Sequence, residues 1–163
     1  MHCHNNIIIL GASGHAKVVA STARSLGKNI FSFYDDKIEL KNSKFFDSRI
    51  LGTIEDAMSI DNSKYVIAIG KNSVRKSIND KYKNACWLKL VSAFSYVDSS
   101  VSINNGSIVA AGAVIQPDVK IGIHCIINTK ASVDHDCQIG DFVHISVGVT
   151  LCGDVTVGSC SQI

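Results

Sequence analysis

Aliphatic residues recur at every sixth position through the second half of the chain. In steps of six, the row reads Val97, Ile103, Val109, Ile115, Ile121, Ile127, Val133, Ile139, Ile145, Leu151, Val157 and Ile163. Four residues after each comes a second row of mostly small or β-branched side chains, such as Ala113 and Cys125. Glycine follows the aliphatic residue at Gly122, Gly140 and Gly158, eighteen residues apart, so three hexads make one coil. The pattern predicts short parallel strands joined at tight corners, where residues must tolerate positive φ.

The first half of the chain shows a different pattern, in which short apolar runs alternate with helical spacing. The segment "IIILGASG", residues 7–14, predicts a buried strand that leads through a glycine turn into a helix with Gly27 as its C-cap. Further strands are predicted at residues 29–36, 64–70 and 86–92, and a helix at residues 72–82 that Asn72 or Ser73 caps. Residues 37–50 carry no recognisable motif. Alternating strands and helices predict a small parallel α/β domain over residues 1–93, followed by the hexads in residues 94–163.

Composition excludes several classes of partner. The 163 residues are 46% hydrophobic and 18% charged, with a formal net charge of +2. Because there is no basic stripe and no apolar run long enough to span a bilayer, we expect a cytoplasmic protein that binds a small molecule, not nucleic acid or a membrane. Six cysteines without a CxxC pair or a signal peptide predict reduced thiols. His2, Cys3 and His4 are ligand-type side chains without spaced partners, so no metal site is expected.

The glycine turn after the first predicted strand is a candidate ligand site. Gly11 and Gly14 would let the backbone approach a phosphate or carboxylate at a helix N-terminus. Ser13 stands where the dinucleotide fingerprint has its second glycine, which argues against NAD. Asp35 and Asp36 end the second strand, where a carboxylate can accept hydrogen bonds from a ribose or sugar hydroxyl. The alternative for both is an ordinary solvated loop carboxylate.

Several segments together resemble one bacterial acetyltransferase family: "GASGHAKVV", "YDD", "AIGKNSVRKSI", "NTKASVDHDCQIGDFVHISVG" and "LCGDVTVG". This family contains sialic acid O-acetyltransferases and the nucleotide-amino-sugar N-acetyltransferases of bacillosamine synthesis, and the resemblance covers nearly the whole chain. It implies a Rossmann-like α/β domain for the acceptor, a left-handed parallel β-helix for acetyl-CoA, and homotrimers with active sites between subunits.

The resemblance implies a specific reaction, with two alternatives. We expect direct, acetyl-CoA-dependent N-acetylation of a nucleotide-linked amino sugar for surface glycan synthesis, without a metal or an acyl-enzyme. One alternative is O-acetylation of sialic acid. The other is a non-catalytic protein that binds a sugar nucleotide or serves as a scaffold.

The same resemblance assigns catalytic roles to individual residues. The family's His-carboxylate motif falls on His135 and Asp136, a general base and the group that orients it, although Asp134 could orient the ring instead. Acetyl transfer needs such a base, and an imidazole has a suitable ordinary pKa. Gly153 lies eighteen residues after His135, so it is expected one coil above, where its N–H would steady the thioester oxyanion.

Other matching positions are assigned to the two ligands. His144 and Ser146 match positions near the pantetheine of acetyl-CoA, and Gly153 would also contact this ligand. His15 matches the histidine of the acceptor site. Asn72 and Arg75 are expected to face a phosphate or sugar, and the alternative for Arg75 is a solvated helix face.

The ends and edges of the β-helix raise two further expectations. The sequence stops at the first residue of a new hexad, so the β-helix is expected to be truncated or covered by another element. Five apolar residues lie off the inward row: Ile108, Ile123, Ile126, Phe142 and Val147. Some of them are expected to form the interface of a homotrimer.

Overall fold

The computed structural model describes residues 7–163, which form an α/β domain and a triangular β-helix. The ligand-type residues His2, Cys3 and His4 lie outside the described residues. A short 3₁₀ helix spans Ile38–Leu40. The other elements, in chain order, are β1 (Ile7–Leu10), α1 (Gly14–Ser25), β2 (Ile30–Tyr34), β3 (Lys44–Phe45), β4 (Ser48–Gly52), α2 (Ile54–Met58), β5 (Lys64–Ile67), α3 (Asn72–Lys81), β6 (Leu90–Val91), β7 (Tyr96–Val97), β8 (Ser102–Ile103), β9 (Ile108–Val109), β10 (Val114–Ile115), β11 (Lys120–Ile121), β12 (Ile126–Ile127), β13 (Ser132–Val133), β14 (Gln138–Ile139), β15 (His144–Ile145), β16 (Thr150–Leu151) and β17 (Thr156–Val157).

The α/β domain is a five-stranded sheet with the strand order β3-β4-β2-β1-β5. Strand β1 pairs in parallel with β2 and β5, and all four of its aliphatic residues are buried, as in a strand covered on both faces. Helix α1 packs on one face of the sheet, and α2 and α3 pack on the other. Gly27 follows the end of α1 with φ 65°, the left-handed conformation that glycine commonly adopts after a helix. Every helix within residues 7–163 is too short or too polar to span a bilayer.

The β-helix consists of three parallel sheets, each built from strands eighteen residues apart. Ile115, for example, lies opposite Val133 in the next coil. The aliphatic row and the small-residue row together fill the interior, where residues from Val109 to Val157 form one continuous cluster. The predicted fold class, an α/β domain followed by a left-handed parallel β-helix, is confirmed.

Residues with positive φ mark the corners of the β-helix. They recur every six positions: Gly106, Gly112, Asp118, His124, Lys130, Asp136, Phe142, Gly148, Asp154 and Cys160. A residue other than glycine costs about 1 kcal/mol in this conformation, so the hydrogen bonds between coils must offset that cost. Such bonds are present, since the N–H of Asp136 donates to the carbonyl of Pro117 at 3.1 Å and that of Asp154 donates to His135 at 2.8 Å.

The α/β domain covers one of the three sheets, the one formed by β6, β9, β12 and β15, hereafter the covered sheet. Leu90 and Ile108 point outward from this sheet and join the core of the α/β domain. Ile108, Ile126 and Phe142 are each no more than 5% exposed, so they cannot take part in the expected subunit interface. Outward aliphatic residues predict that another surface covers them, and here that surface is the α/β domain of the same chain. Val147 remains 64% exposed.

Three regions differ from the predicted elements. The strand predicted over residues 86–92 is divided, because Trp87 bridges to Tyr65 of the α/β sheet whereas β6 pairs with β9 of the β-helix. The motif-poor residues 37–50 form the 3₁₀ helix, the β3–β4 hairpin and its connection. Helix α2 was also not predicted, although Thr53 and Asp56 form a capping box at its start.

Candidate active site

His135 lies at the corner between β13 and β14, beside two carboxylates. Its Nδ1 is 2.8 Å from Oδ2 of Asp136, and the positive φ of Asp136, 61°, belongs to the corner turn. Asp134 instead accepts the backbone N–H of His135 at 2.8 Å. Asp136 is therefore the carboxylate that orients the ring. Because a carboxylate accepts, Nδ1 carries the proton and Nε2 is left with a lone pair.

The electrostatics of this corner suit a base. The hydrogen bond with Asp136, followed by the negative charge of Asp134, raises the pKa of His135 above its ordinary value. The imidazole is 60% exposed, so a reactant can reach Nε2 from solvent. A base of this kind works best when its pKa lies near the operating pH.

Gly153 lies against the His135 ring in the next coil, as the eighteen-residue repeat predicts. A Cβ at this position would stand 2.6 Å from both Cε1 and Nε2 of the ring, so a larger residue would displace the imidazole. Within the described part of the chain, the N–H of Gly153 makes no hydrogen bond. A free N–H beside an exposed imidazole is able to donate to a developing oxyanion.

The glycine turn between β1 and α1 is held in place by backbone packing and by Asp35. Gly11 has φ 106°, and a Cβ there would stand 2.8 Å from Ile69. Asp35 accepts the N–H of Ala12 at 2.8 Å and that of Lys37 at 3.0 Å. Both oxygens of Asp35, which was expected to contact a ribose, therefore already accept backbone N–H groups of the turn.

The remaining residues of this edge are more open to a ligand. Ser13 and Gly14 are exposed, and a Cβ on Gly14 would meet no atom within 4 Å. Asp36 accepts the N–H of Ile54 at 2.9 Å through one oxygen, and it lines a cavity of about 420 Å³. Thr53, Ser77, Lys81 and Tyr82 also line this cavity. These four residues were not identified from the sequence. The capping box at Thr53 was the one sequence signal that could have located the rim of the cavity.

His15 and His144 form a pair beside this turn. Their ring centroids are 6.3 Å apart, and Asn128 donates to Nε2 of His144 at 3.0 Å. Nε2 of His15 is buried without a hydrogen-bond partner among the described residues. Burial, then His144 and Arg75, lower the pKa of His15 to about 4; burial and Arg75 also lower that of His144. Two neutral imidazoles, one with an unpaired buried nitrogen, can bind a polar ligand group.

Two further residues expected to contact a ligand, Ser146 and Asn72, lie at the end of the β-helix. Ser146 is half-buried, and its N–H donates to the carbonyl of Ile163 at 3.0 Å. Asn72 does not cap α3, whose N-cap is Lys71; its amide donates to the carbonyls of Cys160 and Ser161 at 3.0 and 2.9 Å.

Arg75 also lies elsewhere than expected. It is 1% exposed and bonded to backbone carbonyls of both domains, so it is neither on a solvated helix face nor open to a phosphate. Sequence spacing placed it correctly on α3 but could not show that α3 packs against the β-helix.

Comparison with known proteins shows what this architecture is similar to. The model of the PglD N-terminal domain matches residues 6–82, the α/β domain. The acetyltransferase domain of PglB from Neisseria gonorrhoeae, solved in complex with acetyl coenzyme A, is 28% identical with a TM-score of 0.85, over 97% of this chain and 87% of that chain. The α/β domain therefore matches the PglD N-terminal domain, and the whole chain is similar in fold to an acetyltransferase domain solved with acetyl coenzyme A.

Two further relatives extend the comparison. PerB from Caulobacter crescentus, solved in complex with CoA and GDP-perosamine, is 25% identical with a TM-score of 0.74, over 97% of this chain and 88% of that chain. An uncharacterized protein of Acanthamoeba polyphaga mimivirus is 30% identical over 117 residues, which are 71% of this chain and 23% of the relative. This chain spans 22 to 23% of the length of the curated relatives it matches.

The two candidate centres of this chain lie on different sides of the β-helix. His144 belongs to the covered sheet, whereas His135 lies at the corner where the other two sheets meet. In a triangular prism, that corner is opposite the covered sheet. One chain therefore does not bring His135 to the pair formed by His15 and His144.

Proposed function

We propose that this chain is an acetyl-CoA-dependent acetyltransferase that acetylates the amino group of a nucleotide-linked amino sugar in the cytoplasm. The observation that carries the proposal is the His135 corner, where Asp136 holds Nδ1 and leaves Nε2 free beside the N–H of Gly153. PglB with acetyl coenzyme A and PerB with CoA and GDP-perosamine support the two substrate classes. Surface glycan synthesis is the process we infer for such a product.

The chemistry follows from the atoms at this corner. Acetyl-CoA supplies a thioester whose carbonyl carbon the acceptor nitrogen attacks. Nε2 of His135 removes a proton from that nitrogen, and Asp136 stabilises the resulting imidazolium through Nδ1–H. The N–H of Gly153 donates to the carbonyl oxygen as it gains negative charge. His135 then returns its proton to the leaving thiolate, so no acyl-enzyme is formed.

The acceptor site of the proposal is the edge of the α/β sheet. Ser13 and Gly14 open the start of α1 to a phosphate, Asp36 offers an oxygen to a sugar or ribose hydroxyl, and His15 with His144 contacts a polar group of the ligand. We assign His144 and Ser146 to the boundary between this site and the pantetheine of acetyl-CoA.

We further propose a homotrimer in which the active site is shared. The position of His135 opposite the covered sheet supports this, because a neighbouring chain can supply the His135 corner to the acceptor edge of another. Exposed apolar side chains on the uncovered surface, including Phe94 at 73% and Tyr96 at 55%, are consistent with such contacts.

The proposal is tested by measuring CoA release against a panel of UDP-, GDP- and CMP-linked amino sugars, UDP-linked sugars without an amino group, and free sialic acid. Turnover only with an amino sugar, lost in His135→Ala, is the expected result. Turnover with sialic acid alone would replace the N-acetylation proposal with O-acetylation. The absence of turnover with the whole panel would favour the non-catalytic alternative.

A further inference from the structure

Arg75 on α3 binds the loop that follows β5 within its own domain. Nη1 donates to the carbonyl oxygens of Ile69 at 3.1 Å and Gly70 at 2.7 Å, and Nη2 donates to Oδ1 of Asn72 at 2.8 Å. This loop is next to the glycine turn, since a Cβ on Gly11 would touch Ile69. Arg75 therefore fixes the rear of the proposed acceptor site.

The same guanidinium binds the β-helix. Nε donates to the carbonyl of His124 at 3.0 Å, and Nη2 donates to those of Phe142 at 3.0 Å and Val143 at 3.4 Å. These carbonyls belong to corners of two successive coils, and Val143 immediately precedes His144. One side chain thus joins the acceptor loop to the strand that carries His144.

Only an arginine can make this set of contacts. The guanidinium has five N–H groups in a fixed plane, whereas lysine offers a single nitrogen. Arg75 is 1% exposed, and the ion pairs found among the described residues do not include it. Burial lowers its pKa to about 10, so it stays charged at neutral pH and is stabilised by carbonyl dipoles instead of a carboxylate. Burying a charge costs desolvation free energy, so a buried arginine at this position indicates that its contacts matter.

The charge acts on the histidine pair as well. Besides burial, His144 and Arg75 lower the pKa of His15. Arg75 also lowers the pKa of His144. The backbone of Gly70, which Arg75 holds, opposes the decrease at His144. Arg75 is therefore placed to control both the orientation and the protonation of the pair.

We propose that Arg75 is a positioning residue of the acceptor pocket, because one guanidinium joins the loop at Gly70 to the backbone that immediately precedes His144. The term acceptor pocket rests on the proposed function; the positioning of the pair does not. Arg75 touches no substrate in this arrangement and acts only through His144 and the loop at Gly70.

The test compares Arg75→Met and Arg75→Lys with Ile50→Ala, a core variant of the same domain that lowers stability without contacting the pair. NMR titration of the imidazoles in the ligand-free chain is the first measurement. In Arg75→Met the pKa values of His15 and His144 should both rise, because a nearby positive charge is lost, although burial, the larger cause of the low values, remains. In Arg75→Lys they should stay low, because the charge remains. Ile50→Ala should leave both titrations as in the wild type.

The second measurement separates KM from kcat, with a UDP- or GDP-linked amino sugar as the acceptor. Arg75→Lys should raise the acceptor KM about tenfold and change the acetyl-CoA KM less than about twofold, because it loses hydrogen bonds that orient one pocket. The proposal is overturned if the Arg75 variants are only less stable, with titrations and acceptor KM matching Ile50→Ala. Should Arg75→Met not fold, Arg75→Lys decides through the acceptor KM. If no acceptor is turned over, the proposed function fails while the titrations still decide the role of Arg75.

Discussion

The buried His124 makes the stability of this chain depend on pH. Its ring stacks on Phe142 with 5.5 Å between centroids, meets the edge of Trp87 at 5.0 Å, and binds Oδ1 of Asn79 through Nε2 at 3.0 Å. Because the amide oxygen accepts, Nε2 carries the proton, and Nδ1 is buried without a partner among the described residues. The interior of this corner therefore accommodates the neutral ring but not the imidazolium.

The magnitude follows from the change in pKa. Burial, then the charge of Arg75, lowers the pKa of His124 from 6.5 to about 4, against a smaller opposing effect of Asp141. The unfolded chain therefore takes up a proton at this site as the pH falls below 6.5, and the folded chain does so only near 4. The contribution of His124 to the free energy of unfolding is therefore fully present above pH 6.5 and is lost as the pH falls toward 4. At about pH 5 about 2 kcal/mol of this contribution should be lost.

The variant His124→Asn tests this reasoning. Asparagine tolerates the positive φ of 52° at this corner and does not titrate. Free energies of unfolding from urea denaturation at about pH 7.5 and about pH 5 should differ by about 2 kcal/mol less in the variant than in the wild type. The variant is expected to be less stable at both pH values, so the difference between them is the relevant quantity. An equal loss in the two proteins would show that His124 is already protonated, or not shielded, in the folded chain.

Four substitutions at or beside the proposed base give separate outcomes. His135→Ala should lower kcat by about 10² to 10⁴-fold with an unchanged thermal unfolding curve, and near-normal turnover would place the base elsewhere. Asp136→Asn should lower the pKa of His135 and move the acid limb of the pH–rate profile to lower pH; a larger effect of Asp134→Asn would reverse their roles. Gly153→Ala should displace the imidazole and reduce kcat by about 10²-fold, so retention of full activity would exclude the proposed packing of this glycine on the ring.

The β-helix could be predicted because the spacing of its repeats in the sequence equals the number of residues per strand and per coil. One inward side chain per hexad and eighteen residues per coil leave no freedom in register, so Ile115 had to lie opposite Val133. The covering of the β-helix was not predictable in the same way. An outward aliphatic residue such as Ile126 shows that something covers it, but whether that is another chain or the same one depends on how the domains pack.

The candidate site likewise contains features that the repeat predicts and features that depend on local backbone and domain packing. The position of His135 one coil from Gly153 follows from the repeat, whereas the choice between Asp134 and Asp136 depends on a backbone turn that is specific to the corner. Arg75 was expected to face a phosphate or sugar, but its guanidinium binds backbone carbonyls of both domains. Arginine suits phosphate and carbonyl oxygens alike, so only the contact between α3 and the β-helix distinguishes the two.

The separation of His135 from His144 leads to a prediction about assembly. If each active site takes its base from one chain and its acceptor pocket from the next, His135→Ala and His144→Ala chains are each defective in a different half of the site. Refolding an equal mixture should produce trimers in which about a quarter of the sites combine an intact His135 with an intact His144. Turnover should therefore recover to about a quarter of the wild-type value.

Each variant refolded alone provides the baseline for that experiment, and the wild type carried through the same refolding provides the upper limit. Sedimentation analysis of the mixture at micromolar concentration establishes whether trimers form at all. A mixture of intact trimers that stays as inactive as its parents would show that one chain holds a complete site. The base would then have to be sought near His15 of α1, next to the covered sheet. A stable monomer with full activity would exclude sharing altogether, because no neighbouring chain could then supply the corner that carries His135.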